Sequence, residues 1–443
     1  MNKQFLFLYF LIMLLMGGLS FKKIKDDKDF FVAGKKAGII QVTGSLLASV
    51  VGSSVILGSV DFGYSSGWAG MWLVICASLG FCGLLPLVKY IKDFKGYNLP
   101  SMLGSFYGEK VQQAASLLIP IAWLGVIASQ IMGAAKIISI MTTLTYTEGV
   151  ILSGVIFIIY TLLGGQLSII KTDVVQLGFI IFGVLSTFLF INQEPITINV
   201  APMFNEKFQI IDLIVMMLSY STTFVVGPDI YSRLFCAKDE KTMKNSIILT
   251  ILVLLPLSYI LAKIGIYGQQ IFGGNGVGDS VLLVIAQEKL TKFLALALYF
   301  GILSAVISTA DTTLLTASSL FAQVFIKDLK KENSIFVTRI LIVVFGFLSI
   351  LVAIKMKYIL ATLLLALSIY SGAFIVPTFL GIFGFRAKEE IVITSIVVGG
   401  VVALIGKMVG GSVGNYISIS SYFINGIILY LGKKNKKEIF SKV

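Results

Sequence analysis

Ser308 and Thr309 stand side by side in an otherwise apolar run, and Ala305 precedes Ser308 by three residues, on the same face if the run is helical. Two hydroxyls and a main-chain carbonyl are uncharged oxygen donors. Such a set suits a hard cation, which takes oxygen ligands without requiring several buried carboxylates. The same hydroxyls could instead bond back to carbonyls one turn earlier, as hydroxyls in membrane helices often do. The spacing leaves both readings open. Asp311, three residues beyond Ser308, puts a carboxylate in the same run, so it must be protonated, paired or close to a cation. It either bonds a neighbouring helix or sets the charge along an ion path.

Other chemistry has little to stand on. The chain has no His, and Cys76, Cys82 and Cys236 lack metal-ligand spacing, which excludes the usual zinc and haem arrangements. There is no phosphate-binding loop of the G-x-x-x-x-G-K-[ST] type and no nucleophile motif. An enzyme is not expected.

Stepping out from the hydroxyl pair, two apolar runs are interrupted by small residues and proline. One carries Gly44, Gly52 and Gly58 with Ser49, Ser53 and Ser54; the other carries Gly227 and Pro228 after Ser221, Thr222 and Thr223. Interruptions at matching places in two halves of a membrane chain point to broken helices, whose freed carbonyls and amides can bind ions and substrate near the midplane. Close packing of small residues is the alternative. Tyr220 and Phe224 lie one helical turn apart and lead into the second interruption. Lys136 sits inside an apolar run and is read as snorkelling to the outer interface. Asp229 and Arg233, spaced i,i+4, are read as an ion pair.

Hydrophobic residues make up 57% of the 443, and the mean hydropathy is +0.96, far from a soluble domain. About thirteen apolar runs long enough to cross a hydrocarbon core of roughly 30 Å recur, from 4–20 to 416–432. The first is read as a retained helix, since no small-residue cleavage signal follows it. The net charge of +13 comes from 35 basic and 22 acidic residues. They cluster between the runs, so nucleic acid is not expected as a partner, and no obligate protein partner is evident. With the amino terminus outside, roughly 26 basic residues fall inside and roughly 8 outside, placing the carboxyl terminus in the cytoplasm. The expected location is the cytoplasmic membrane, among lipid.

Four ordered segments resemble the sodium/solute symporter family, which includes proline, pantothenate, galactose and sialic acid carriers. They are Asp29 to Lys36; Gly164-Gly165 with Lys171-Thr172-Asp173-Val174-Val175-Gln176; Gly227-Pro228-Asp229-Ile230-Tyr231-Ser232-Arg233; and Ser308 to Leu315 with Ala317-Ser318-Ser319. Lys171 departs from the pattern, where Trp is common. The resemblance implies an all-α polytopic membrane protein with the five-plus-five inverted repeat of the leucine transporter and one extra amino-terminal helix. It divides the chain into an extra helix and inner loop at 1–37, a ten-helix core at 38–384, and two further helices with a basic tail at 385–443.

The resemblance further implies a sodium site built from the Ala48, Val51 and Ala305 carbonyls with the Ser308 and Thr309 hydroxyls. A second sodium would be held by Asp173 with the same hydroxyls. Ser53, Ser54, Val55, Gln130, Tyr220 and Phe224 would then face a small organic solute. The implied function is sodium-coupled symport, with a sodium-regulated channel or sensor on the same fold as the other reading.

Overall fold

The computed structural model describes residues 3–21, 26–92, 94, 98–273, 280–326, 329, 333–356 and 358–434. Among these the chain is helical, with isolated bridges in place of any sheet. Among the described residues, nine helices are both long and apolar enough to cross a membrane. Parts of the basic segments at 22–36 and 433–442 lie outside the described residues.

Helix ends follow local chemistry. Thr145 and Glu148 form a capping box at the start of Tyr146–Ile191, and Asp239 accepts the Thr242 amide at the start of Glu240–Phe272. The apparent single helix Tyr146–Ile191 turns at Gly165, whose φ of 64° and ψ of 176° no helical residue adopts. The stretch Lys171 to Gln176 is helical and begins nearly two turns past that bend.

Both interruptions read from the sequence are real breaks. The helix Ile39–Val50 ends at Val51 (φ −87°, ψ 50°), and Ser53–Ser66 begins after Gly52. There the Ser53 amide donates to Gln130 Oε1 at 3.2 Å instead of continuing the ladder. The freed Ser49 carbonyl receives the Thr309 hydroxyl at 3.0 Å. At the second break Gly227 is extended (φ −68°, ψ 132°) and Pro228 opens the helix Pro228–Leu234, where its missing N–H costs nothing. The Tyr370 hydroxyl donates to the Val226 carbonyl at 2.6 Å. A π-helical turn at Met217–Ser221 lies just before this break, a feature common near functional sites.

The helix Lys292–Ile326 is the hub. It packs on Tyr146–Ile191, Glu109–Met141 and Ser334–Lys355, and it is buried without interruption from Gly301 to Leu320. Every polar side chain in that stretch must therefore find its partner inside the protein.

Candidate ion and solute site

Ser308 and Thr309 reach in different directions. Ser308 Oγ donates to Asp173 Oδ1 at 2.5 Å, joining the hub to Tyr146–Ile191. Thr309 Oγ1 stands 2.9 Å from the Ala305 carbonyl and 3.0 Å from the Ser49 carbonyl. The back-bonding alternative thus holds for Thr309 alone, and the same hydroxyl also ties the hub to the first break.

Asp173 is fully buried. Its second oxygen accepts the Ser45 hydroxyl, and Ser45 in turn receives Arg233 Nε, at 3.0 Å on Oγ and 3.1 Å on its carbonyl. Arg233 also donates to the Ser49 hydroxyl and, at 3.1 Å through Nη1, to the Asp229 carbonyl. The Asp229–Arg233 ion pair expected from i,i+4 spacing is absent among the described residues. The guanidinium meets the main chain of Asp229, because Ser45 and Ser49 on the facing helix present three oxygens to its nitrogens. A chain from Arg233 through Ser45 to Asp173 and Ser308 thus crosses four helical segments with its donors matched to acceptors.

Asp311 is also fully buried. Its Oδ1 accepts Thr312 Oγ1 at 3.3 Å, and Oδ2 has no hydrogen-bond partner among the described residues. The expected bond to a neighbouring helix is therefore not seen. Lys136 is half-buried.

On the other side of Thr309 lies a cavity with an empty volume of about 480 Å³, counting its mouth. Ser49, Gly52, Ser54, Val55, Gln130, Tyr220, Phe224 and Thr309 line it, together with Thr223 and Asp229, which the sequence marked in other roles, and Trp123 and Thr313, which it did not single out. Tyr220 and Phe224 meet edge to face, with centroids 4.9 Å apart. Ser53 stands behind the wall, bonding Gln130 Oε1 through its hydroxyl at 3.0 Å, while Gln130 Nε2 donates to Ser54 at 3.1 Å. Ala48, Val51, Ala305 and Ser308 are not among the lining residues. Of these, the Ala305 carbonyl accepts the Thr309 hydroxyl and Ser308 bonds Asp173. Gly52 is required where the walls meet, because a Cβ there would stand 2.8 Å from Thr309 Oγ1 and 3.1 Å from Gln130 Oε1.

The donors assembled here are hydroxyls, carbonyls and one paired carboxylate, all oxygen. Among the described residues no three His, Cys, Asp or Glu gather as a multivalent metal site would need. The set fits a monovalent hard cation.

A family model fits this picture. That of the sodium:solute symporter family matches residues 30–399, and the chain belongs to that family. It is a multi-pass membrane transporter rather than an enzyme, and sodium is its coupling ion. The osmoregulated proline transporter OpuE of Bacillus subtilis (strain 168) is 23% identical over 461 aligned residues, spanning 95% of this chain and 92% of the relative. The sodium/pantothenate symporter of Escherichia coli (strain K12) is 22% identical, spanning 84% and 83%. Among solved structures, a Na+-coupled sialic acid symporter in a substrate-bound outward-open state superposes with a TM-score of 0.80 at 19% identity, covering 97% of this chain and 98% of that one. At that identity the likeness speaks for the fold.

Proposed function

We propose that the protein uses the sodium gradient to carry a small organic solute into the cell, by alternating access between two halves of a five-plus-five inverted repeat with thirteen crossings. The observation that carries this reading is Thr309. Its hydroxyl joins the hub helix to the carbonyl freed at the Gly52 break while its side chain forms part of the solute cavity wall. An ion bound there and a solute bound beside it would share one helix break, so each would favour the conformer the other needs.

In this reading the Ala48, Val51 and Ala305 carbonyls and the Ser308 and Thr309 hydroxyls hold the sodium. Asp173 with the same hydroxyls is the place for a second one. Ser54, Val55, Gln130, Tyr220 and Phe224 contact the solute, with Ser53 fixing Gln130 from behind. Relatives carry solutes as different as proline, pantothenate and choline, so the solute class is argued from the cavity. Its lining contains one carboxylate, Asp229, and no Lys or Arg. A solute bringing an ammonium or another donor, such as an amino acid, suits it better than a bare monocarboxylate; a sugar is intermediate.

Purified protein in proteoliposomes, given an inward sodium gradient and radiolabelled amino acids, monocarboxylates and sugars, tests this. Uptake of one class that collapses when sodium is equal on both sides is the expected result. Solute-independent sodium currents far above carrier turnover would instead make the protein a channel.

A further inference from the structure

A second and larger hollow opens away from the solute site. It has an empty volume of about 1110 Å³, counting its opening, and lies between Glu109–Met141, Ile359–Ile382 and Glu389–Val409, with Val352 and Met356 at one edge. Its walls are almost wholly apolar, and Ile121, Val397 and Val401 on its rim are 54%, 45% and 49% exposed. These residues fall in the middle stretches of helices long and apolar enough to span a bilayer. The opening therefore faces hydrocarbon rather than headgroups or water.

The polar side chains on its walls, Thr362 and Tyr370, already spend their hydroxyls on the Tyr358 and Val226 carbonyls, so the hollow has little to hold water. Left empty, its lining would forfeit dispersion contacts along its whole length. Its rim is continuous with the apolar surface of the same helices, which the membrane already covers. We propose that this groove is a binding site for a lipid acyl chain, and that the bound chain acts on transport through the wall it rests against. That wall is Tyr370, fully buried, packed edge to face on Trp123 with centroids 4.6 Å apart. The Tyr370 hydroxyl holds the carbonyl freed at the second helix break, and Trp123 lines the solute cavity on the opposite side. Two rings separate the lipid from the solute.

The full chain has three tryptophans. Replacing the other two as Trp68→Phe and Trp72→Phe leaves Trp123, buried behind Tyr370, as the remaining tryptophan emitter. In vesicles of phosphatidylcholine brominated at mid-chain, Trp123 emission is expected to be quenched. Filling the groove with Val397→Phe and Val401→Phe, both at exposed positions, is expected to reduce that quenching roughly twofold. Equal quenching with and without the filling side chains, or none in either, would overturn the site. Quenching that appears only on dilution, together with cross-linking between copies through Val397→Cys, would assign the groove to a second copy and also overturn it. Should the tryptophan substitutions prevent insertion, the unaltered protein can be photolabelled with a diazirine-bearing acyl chain. Label on the buried Tyr370 or Ala366 supports the site, and its absence there refutes it. For the coupling, sodium-driven uptake by the unaltered protein should respond to acyl-chain length at least twofold more than uptake by the groove-filled variant. An equal response would refute the coupling.

Discussion

At the scale of single residues, one hydroxyl pair divides two tasks. Thr309 faces two carbonyls and the cavity, so Thr309→Ala removes an oxygen from the proposed sodium shell and a bond across the break. Half-saturating sodium for uptake is expected to rise about tenfold, the equivalent of one hydrogen bond or ligand of about 1.4 kcal/mol. Ser308→Ala removes a donor to the buried Asp173 carboxylate, and its effect on sodium should be at least as large, with protein abundance near normal. If both variants keep the original sodium dependence, the assigned shell is wrong. Asp311 is a different case: one carboxylate oxygen lies buried with no hydrogen bond among the described residues. Asp311→Asn keeps the shape and removes the charge, so a change in half-saturating sodium without loss of protein would tie Asp311 to the ion path. Unchanged uptake at every sodium concentration would leave it a packing role only.

At the scale of helices, the breaks are where sequence and structure agree most closely, and the reason is local. Glycine, proline and small hydroxylated residues disrupt the ladder through their own geometry, so the breaks at Gly52 and Gly227 could be read without any knowledge of neighbours. The turn at Gly165 was less legible because the helix resumes at once on its far side. The network around Arg233 was not legible at all. Its acceptors, Ser45 and Ser49, lie some 190 residues earlier on another helix, and nothing in their spacing marks them. The i,i+4 rule pointed Arg233 to Asp229, but that rule holds for a continuous exposed helix face, whereas Asp229 begins a fresh helix beside a break and competes with three buried oxygens. Two changes test the breaks as elements. Gly52→Ala puts a methyl 2.8 Å from Thr309 Oγ1, so it should abolish sodium-driven uptake while the protein still inserts. Tyr370→Phe leaves the Val226 carbonyl buried without its donor, and it should lower stability by about 1–3 kcal/mol in thermal or denaturant unfolding.

At the scale of the whole molecule, the open question of orientation can be argued from loops that touch. The Ala37 amide donates to the Cys236 carbonyl, and the Lys238 amide to Ala37, so the segments after the first helix and after the second break share one face. The Lys92–Glu240 ion pair at 2.8 Å adds another loop to that face. Elsewhere, Lys388 and Lys434 bond across the segments that precede and follow the last two helices, placing those two segments on one face with each other. On the other face of the first group, the Trp68 amide donates to Ala201, and the Thr197 amide to Gln270. The proposed scheme of thirteen crossings from an outside start would give the same grouping, and the basic residues concentrate in the first set of loops, as retention in the cytoplasm favours. Single cysteines on a background lacking Cys76, Cys82 and Cys236 can decide the direction. Glu206→Cys, exposed in the loop that bonds Trp68, is expected to react with an impermeant maleimide in intact cells. Lys238→Cys, exposed beside the Ala37 pairing, and a cysteine at position 436 in the tail should react only after permeabilisation. Labelling at 238 or 436 in intact cells would invert the proposed orientation.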